Sequence, residues 1–206
     1  MIRNLIFDLG GVILNLDFQA TADAFRALGM TNFDELYTQA KQTGIFDEFD
    51  KGHISPAQFR TELRKHLPPH TSDQAIDHAW NAMLLNLPPE RLELLRELRG
   101  KYKLYLLSNT NEIHVEAFSA YLQHTFGFAD FTGYFDQWYY SCRMGMRKPD
   151  EEIFLKVLND HRLNASETIF IDDSKQHVEG AARTGIHAIW LEPGQTVFSL
   201  REQGVY

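Results

Sequence analysis

"LIFDLGGVIL", residues 5–14, runs apolar for three residues, stops at Asp8 and turns over Gly10 and Gly11. A carboxylate at the end of a hydrophobic strand is costly to bury unless it has a partner or a task. The same pattern of a short apolar run recurs along the chain. Ile2 to Phe7, Lys103 to Leu107, Asp136 to Ser141, Thr168 to Ile171 and His187 to Leu191 read as strands. Several are nearly continuous apolar runs, as expected of strands covered on both faces. Between them, Leu92, Leu95 and Leu98 give helical spacing to Glu90–Arg99, and Ile153, Phe154, Val157 and Leu158 do the same for Glu151–His161. Ser174 to Thr184 is a third helix, closed by Gly185.

Alternating strand and helix predicts an α/β fold, a Rossmann-like parallel sheet with helices on both faces in three layers. Residues 16–87 behave differently, with helical patterns and no convincing strand. Ala20 to Leu28 ends at Gly29, and Asn32 to Thr43 ends at Gly44. Ser55-Pro56-Ala57-Gln58 is a capping-box start with proline at the first helical position. Thr71 to Leu85 is a further helix before the rigid joint Leu87-Pro88-Pro89-Glu90. The division expected is a core of residues 1–15 and 88–206, with 16–87 inserted as a helical cap.

At 206 residues the chain can bury one good core plus a small subdomain. The formal charge of −8 argues against a nucleic-acid or anionic-membrane partner, which would want a basic face. Cys142 is the only cysteine, so no internal disulfide or thiolate metal cluster forms. No apolar run approaches the roughly 20 residues of a spanning helix. The amino end meets an acid at position 8 and does not read as a secretory segment, so the compartment expected is the cytoplasm. The oligomeric state is left open.

Ligands of an open parallel sheet bind beyond the carboxyl ends of its strands. There the sequence places Asp8, Ser108-Asn109, Asp172-Asp173 and, in a loop after the third core strand, Met146-Arg147-Lys148-Pro149. Each has a dull reading: Asp8 and Asp172-Asp173 as caps, Ser108-Asn109 as a helix start, Lys148 as a surface charge. Converging on one rim, they fit phosphoryl transfer better. Asp8 and Asp172 offer hard oxygens to Mg²⁺, and one oxygen of Asp8 remains to attack phosphorus. Ser108 and nearby N–H groups hold a phosphoryl oxygen, and Lys148 neutralises another at a positive helix end.

These motifs, Asp8-Leu9-Gly10-Gly11-Val12, Ser108-Asn109, Lys148-Pro149 and Asp172-Asp173, resemble those of the haloacid dehalogenase superfamily, in the branch with a cap after the first strand. The resemblance covers nearly the whole chain. "LSNTN", "GMRKP" and "FIDDS" look most similar to a bacterial subgroup that includes α-D-glucose-1-phosphate phosphatases, with the phosphatase domain of soluble epoxide hydrolases a further relative. It implies a Mg²⁺-dependent phosphoric monoester hydrolase of a small phosphorylated metabolite, a sugar phosphate. Asp8 would be the catalytic nucleophile, forming an aspartyl-phosphate. Lys148 would assist it, and Ser108, Asn109 and Lys148 would bind phosphate. Asp8, the Gly10 carbonyl and Asp172 would hold the metal, with Asp173 in support. Rival readings are a catalytically weak binder of phosphorylated ligands or of a protein, and a 2-haloacid dehalogenase.

The family's phosphatases carry an acid two residues after the nucleophile, where this chain has Gly10. Such a group is worth roughly 10²–10⁴ in rate. A good leaving group would excuse its absence, or Asp17, Glu48 or His114 would replace it. Asp47 to Gln58 has the outline of a calcium loop but puts Phe49 and Lys51 at ligand positions. It reads instead as a cap turn, with Phe46, Asp47 and Glu48 facing substrate. Arg143 beside Cys142 would lower the thiol's pKa, yet nothing else supports a nucleophilic cysteine.

Overall fold

The first strand shows why the chain forms a layered sheet. In β1 (Asn4–Phe7), Leu5 and Phe7 enter one apolar cluster and Ile6 another. The computed structural model describes residues 1–38, 41, 42 and 44–206. The same period of two recurs in β4 (Lys103–Ser108) and β6 (Thr168–Asp172), where Leu104, Leu106, Ile169 and Ile171 face one way and Tyr105, Leu107 and Phe170 the other. With β5 (Gln137–Tyr140) and β7 (His187–Trp190), these strands form a parallel sheet in the order β5-β4-β1-β6-β7. Helices α6 (Pro89–Arg99), α7 (Glu112–Phe126) and α11 (Val197–Glu202) cover one face. On the other lie α9 (Glu151–His161) and α10 (Lys175–Arg183), and the one-turn α8 (Ser141–Met144) follows β5. The α/β sheet expected from the sequence is the fold observed.

Between β1 and α6 the chain forms a second apolar cluster. It is built by α1 (Phe18–Ala27), α2 (Phe33–Leu36), α3 (Ile45–Asp50), α4 (Pro56–Arg64) and α5 (Asp73–Asn81). Phe25, Phe33, Phe46, Phe49, Phe59 and Trp80 fill it, with Phe25 stacked on Phe33 and Phe49 on Phe59. The Ser55–Gln58 capping box opens α4, with Pro56 first in the helix. Outgoing and returning segments run antiparallel: Leu16 bridges Leu84, and Asn15 and Asp17 donate backbone N–H groups to Asn86 and Met83.

The helix expected over 32–43 is corrected. Among the described residues only α2 is helical there, and β2 (Tyr37–Thr38) pairs antiparallel with β3 (Lys41–Gln42), so a short strand pair does exist between 16 and 87. Gln39, Ala40 and Thr43 lie outside the described residues. Phe33 and Tyr37 are spaced like a helix face, but both are buried by one aromatic cluster, which an extended Tyr37 reaches equally well. The helix expected over 71–85 is also shorter, ending at Asn81 before the bridge at Leu84.

Candidate active site

The turn after β1 explains its glycines. Gly11 N donates to Leu14 O, and Ile13 and Leu14 both donate to Leu9 O, so the chain closes tightly beyond Asp8. Gly11 sits at φ +73°, and a Cβ there would lie 2.1 Å from Asp173 Oδ2. A Cβ on Gly10 would lie 2.4 Å from Leu16 Cδ1. One glycine makes room for a carboxylate of the rim, and the other for an apolar side chain of the cleft.

Asp8, Ser108, Asn109 and Asp173 line one cleft with Gly10, while Lys148 and Asp172 are fully buried beneath it. The Lys148 ammonium donates to Asp8 Oδ1 (2.8 Å), Asp172 Oδ2 (2.6 Å) and Leu107 O (2.9 Å), which uses all three of its protons. Asn109 fixes it from behind: its Nδ2 donates to Lys148 O and its Oδ1 accepts from Lys148 N, both at 2.9 Å. The Asn109 side chain thus clamps the Lys148 backbone. Among the described residues Ser108 Oγ makes only a long 3.4 Å contact to Asn109 O.

Carboxylate oxygens of Asp8, Asp172 and Asp173 lie within 4.8 Å of one another. Burial and the neighbouring Asp172 charge raise Asp8 to about 6 against the pull of Lys148. Asp173 is pushed up to about 7 by burial, with Asp8 and Asp172 adding repulsion. Burial also works against the Asp172 charge, but Lys148 and His177 outweigh it and hold this acid at about 2. One ammonium does not fully neutralise three acids, and the set is all hard oxygen. This is the chemistry of a Mg²⁺ site, and the residues fit that ion. Asp172 also accepts from Ser174 N at 2.8 Å, so its dull role as a cap is real as well.

None of the three candidates for the absent acid is available as such. Asp17 is the N-cap of α1, accepting from Gln19 N and Ala20 N. Glu48 pairs with His53 and borders a separate surface groove. His114 lines the cleft, but its Nε2 donates to Trp80 O and its Nδ1 accepts from Asn111. Burial pushes that imidazole down to about 4. The expectation for Cys142 is reversed too: burial, then Glu112, raises the thiol to about 12, and Arg143 is paired with Glu112.

The α3 turn faces the cleft with a different residue from those expected. Phe46 is buried in the aromatic cluster, and Asp47 is paired with Arg147 (2.9 Å) and Lys51 (3.0 Å). Asp50, one helical turn beyond Asp47, lines the cleft instead, with Arg147, Trp80, Phe18 and His177. The only sequence signal for Asp50 was its i+3 spacing from Asp47, hidden inside the calcium-loop outline.

A model of the haloacid dehalogenase-like hydrolase family matches residues 2–185. A D-ribitol-5-phosphate phosphatase of Bacteroides thetaiotaomicron is 31% identical over 94% of each chain. A sesquiterpene phosphatase of Aspergillus oryzae is 28% identical, over 90% of this chain and 88% of its own. Among solved structures, a variant HAD family enzyme from Bacteroides thetaiotaomicron, in complex with magnesium and inorganic phosphate, superposes with a TM-score of 0.90. It is 38% identical and the match covers 98% of this chain and 99% of that one. With a match that begins just before β1 and runs past the end of α10, this chain belongs to the haloacid dehalogenase-like hydrolases.

Proposed function

We propose that the chain is a Mg²⁺-dependent phosphatase of a small phosphorylated metabolite, a sugar or polyol phosphate, acting through an aspartyl-phosphate. The observation that carries this is the Asp8 carboxylate, held by Lys148 beside two further acids at the strand ends of a phosphatase-like chain. Asp8, the Gly10 carbonyl and Asp172 would hold Mg²⁺, with Asp173 orienting its waters. The ion, when bound, supplies positive charge that keeps Asp8 ionised and offsets charge on the phosphoryl group.

The Asp8 oxygen attacks phosphorus as the ester P–O bond breaks, and the leaving alkoxide takes a proton from water. Lys148, the Ser108 hydroxyl and the Asn109 backbone balance charge on the phosphoryl oxygens. Water then attacks phosphorus as the bond from phosphorus to the Asp8 oxygen breaks, its released proton neutralises the hydroxide left by the first step, and phosphate leaves. Residues 16–87 act as a cap, with the antiparallel pair at Asn15–Asp17 and Met83–Asn86 as its double linker. With the linker closed, the cap excludes bulk water and selects the organic half of the substrate. The single cysteine thiol accords with a cytoplasmic site of action.

Phosphate release from a panel of sugar and polyol phosphates, with and without Mg²⁺, tests the proposal. Asp8→Asn is expected to lower the Mg²⁺-supported rate by at least about 10³-fold. Equal rates for wild type and variant would favour the rival ligand-binding reading, which draws on Gly10. Phosphate release indifferent to Mg²⁺ would overturn the metal's part in the proposal, and halide release from 2-haloacids without Mg²⁺ would favour the dehalogenase reading.

A further inference from the structure

Consecutive residues in the loop before α9 point their charges in opposite directions. Lys148 reaches down to Asp8 and Asp172, while Arg147 reaches up to Asp47 on α3. The Arg147 side chain is 9% exposed and lines the cleft, yet its buried Nε has no hydrogen-bond partner among the described residues. A buried guanidinium N–H without an acceptor is rare and costly, and it leaves Arg147 incompletely satisfied beside the cleft that the residue lines. Across from it, Asp50 is 6% exposed and lines the same cleft. Asn111 Nδ2, at 3.1 Å from Oδ1, is its side-chain hydrogen-bond donor among the described residues.

We infer that Arg147 and Asp50 together read the hydroxyl groups of a polyhydroxylated carbon chain, one hydroxyl accepting from the Arg147 guanidinium and another donating to Asp50. The inference rests on the phosphatase reading, and it names which residues choose the organic half of the substrate.

Arg147 and Lys51 are both paired with Asp47, and Arg147 lies near enough to Asp50 to act on its ionisation, so the charges at this end are matched within the protein. A substrate carboxylate or second phosphate would have to break those pairs. Neutral hydroxyls, which both donate and accept, satisfy the two groups at once. The pair belongs to a different element from the reacting end: Asp50 lies on α3, whose Asp47 pairs with Arg147, whereas Lys148 pairs with Asp8 and Asp172 at the strand ends. Asp50 is assigned to the carbon chain and not to the place of the missing acid.

An alkyl chain fits the cleft's apolar wall of Leu14, Leu16, Phe18, Met83 and Leu84, but would cover the charged Arg147 and Asp50 side chains of the same cleft and offer them no hydrogen bond. Sites built to hydrogen-bond a substrate reject analogues that lack the group far more strongly than apolar pockets reject an extra methylene. The structure thus favours a polyol over an alkyl phosphate.

The test compares ribitol 5-phosphate with n-pentyl phosphate, two primary esters of five carbons. Wild-type kcat/KM is expected to favour the polyol by at least about 10²-fold. Asp50→Asn and Arg147→Met are each expected to shrink that ratio by about 10-fold or more, chiefly through KM for the polyol. A wild-type ratio near one overturns the inference, as does a loss in the variants that is the same for both esters. If a variant fails to fold, the wild-type ratio and calorimetric binding of both esters to Asp8→Asn still decide. Turnover of p-nitrophenyl phosphate separates the two levels. If it persists while the ratio is flat, the specificity inference alone fails; if it is absent, the phosphatase reading fails and the binding ratio judges the pair.

Discussion

Leu16 occupies the space that a side chain on residue 10 would need, so Gly10 is part of a packing arrangement, not an isolated deletion. The methyl that blocks the position is the tip of a flexible side chain in the wall of the cleft. Gly10→Asp alone would force that tip aside, at about 1–3 kcal/mol for an overpacked site. Gly10→Asp with Leu16→Ala gives the carboxylate room to enter the cleft above Asp8. The double variant is expected to raise kcat for n-pentyl phosphate, a poor leaving group, by at least about 10-fold. It should change p-nitrophenyl phosphate much less, because a nitrophenolate leaves without protonation. Steady-state rates on the two esters check this; a uniform change, or none, means that residue 10 does not hold the proton-transfer position. Gly11 offers no such freedom, since its left-handed backbone and the 2.1 Å approach of Asp173 both refuse a side chain.

At the scale of elements, the site depends on two loops held by side-chain to backbone hydrogen bonds. Asn109 closes a two-bond clamp across Lys148, joining the end of β4 to the loop before α9. Asn109→Ala is expected to cost about 1–3 kcal/mol in urea unfolding, since it strands the Lys148 N–H and C=O. It should lower kcat at least tenfold by loosening the ammonium, and Asn109→Asp, which keeps the acceptor, should fall between; full activity in Asn109→Ala would remove Asn109 from the positioning of Lys148. Ser141 joins the same region to α3, its Oγ lying 2.6 Å from Asp50 O and accepting from Thr110 N at 2.9 Å. Strands and α9 were legible because a buried strand needs apolar residues on both faces and α9 buries one stripe, so sequence and burial coincide. The α3 turn was not. Phe46 and Phe49 mark its buried face, and helix phase then sends Asp47 and Asp50 toward Arg147, a residue 97 or more positions away whose approach no local pattern encodes. Likewise the clamp made by the Asn109 side chain was not legible, because its partner, the Lys148 backbone, is 39 residues distant.

The whole molecule carries a formal charge of −8, and at the rim three acids share one ammonium. Asp8 at about 6 and Asp173 at about 7 both lie above the ordinary 3.8 that they regain on unfolding. The native state therefore binds more protons than the unfolded chain between about pH 4 and 7, and these two groups cost stability as pH rises through that window. Asp172, held at about 2, has the opposite sign but acts only below pH 4. Burial of neutral His114 also opposes the trend, removing stability as pH falls from 6.5 towards 4. The cluster's own contribution is thus best isolated by a divalent ion, which competes with protons for the same oxygens. Mg²⁺ is expected to raise the melting temperature more at pH 8 than at pH 5.5, because at the lower pH it must displace protons from Asp8 and Asp173. Chelation should reverse the shift, and Asp172→Asn should abolish most of it at both pH values. Thermal unfolding with and without the ion reads this directly. A Mg²⁺ shift equal at pH 5.5 and 8, or one that survives Asp172→Asn, would place the ion elsewhere on the protein and leave the excess negative charge of the rim without its counter-ion.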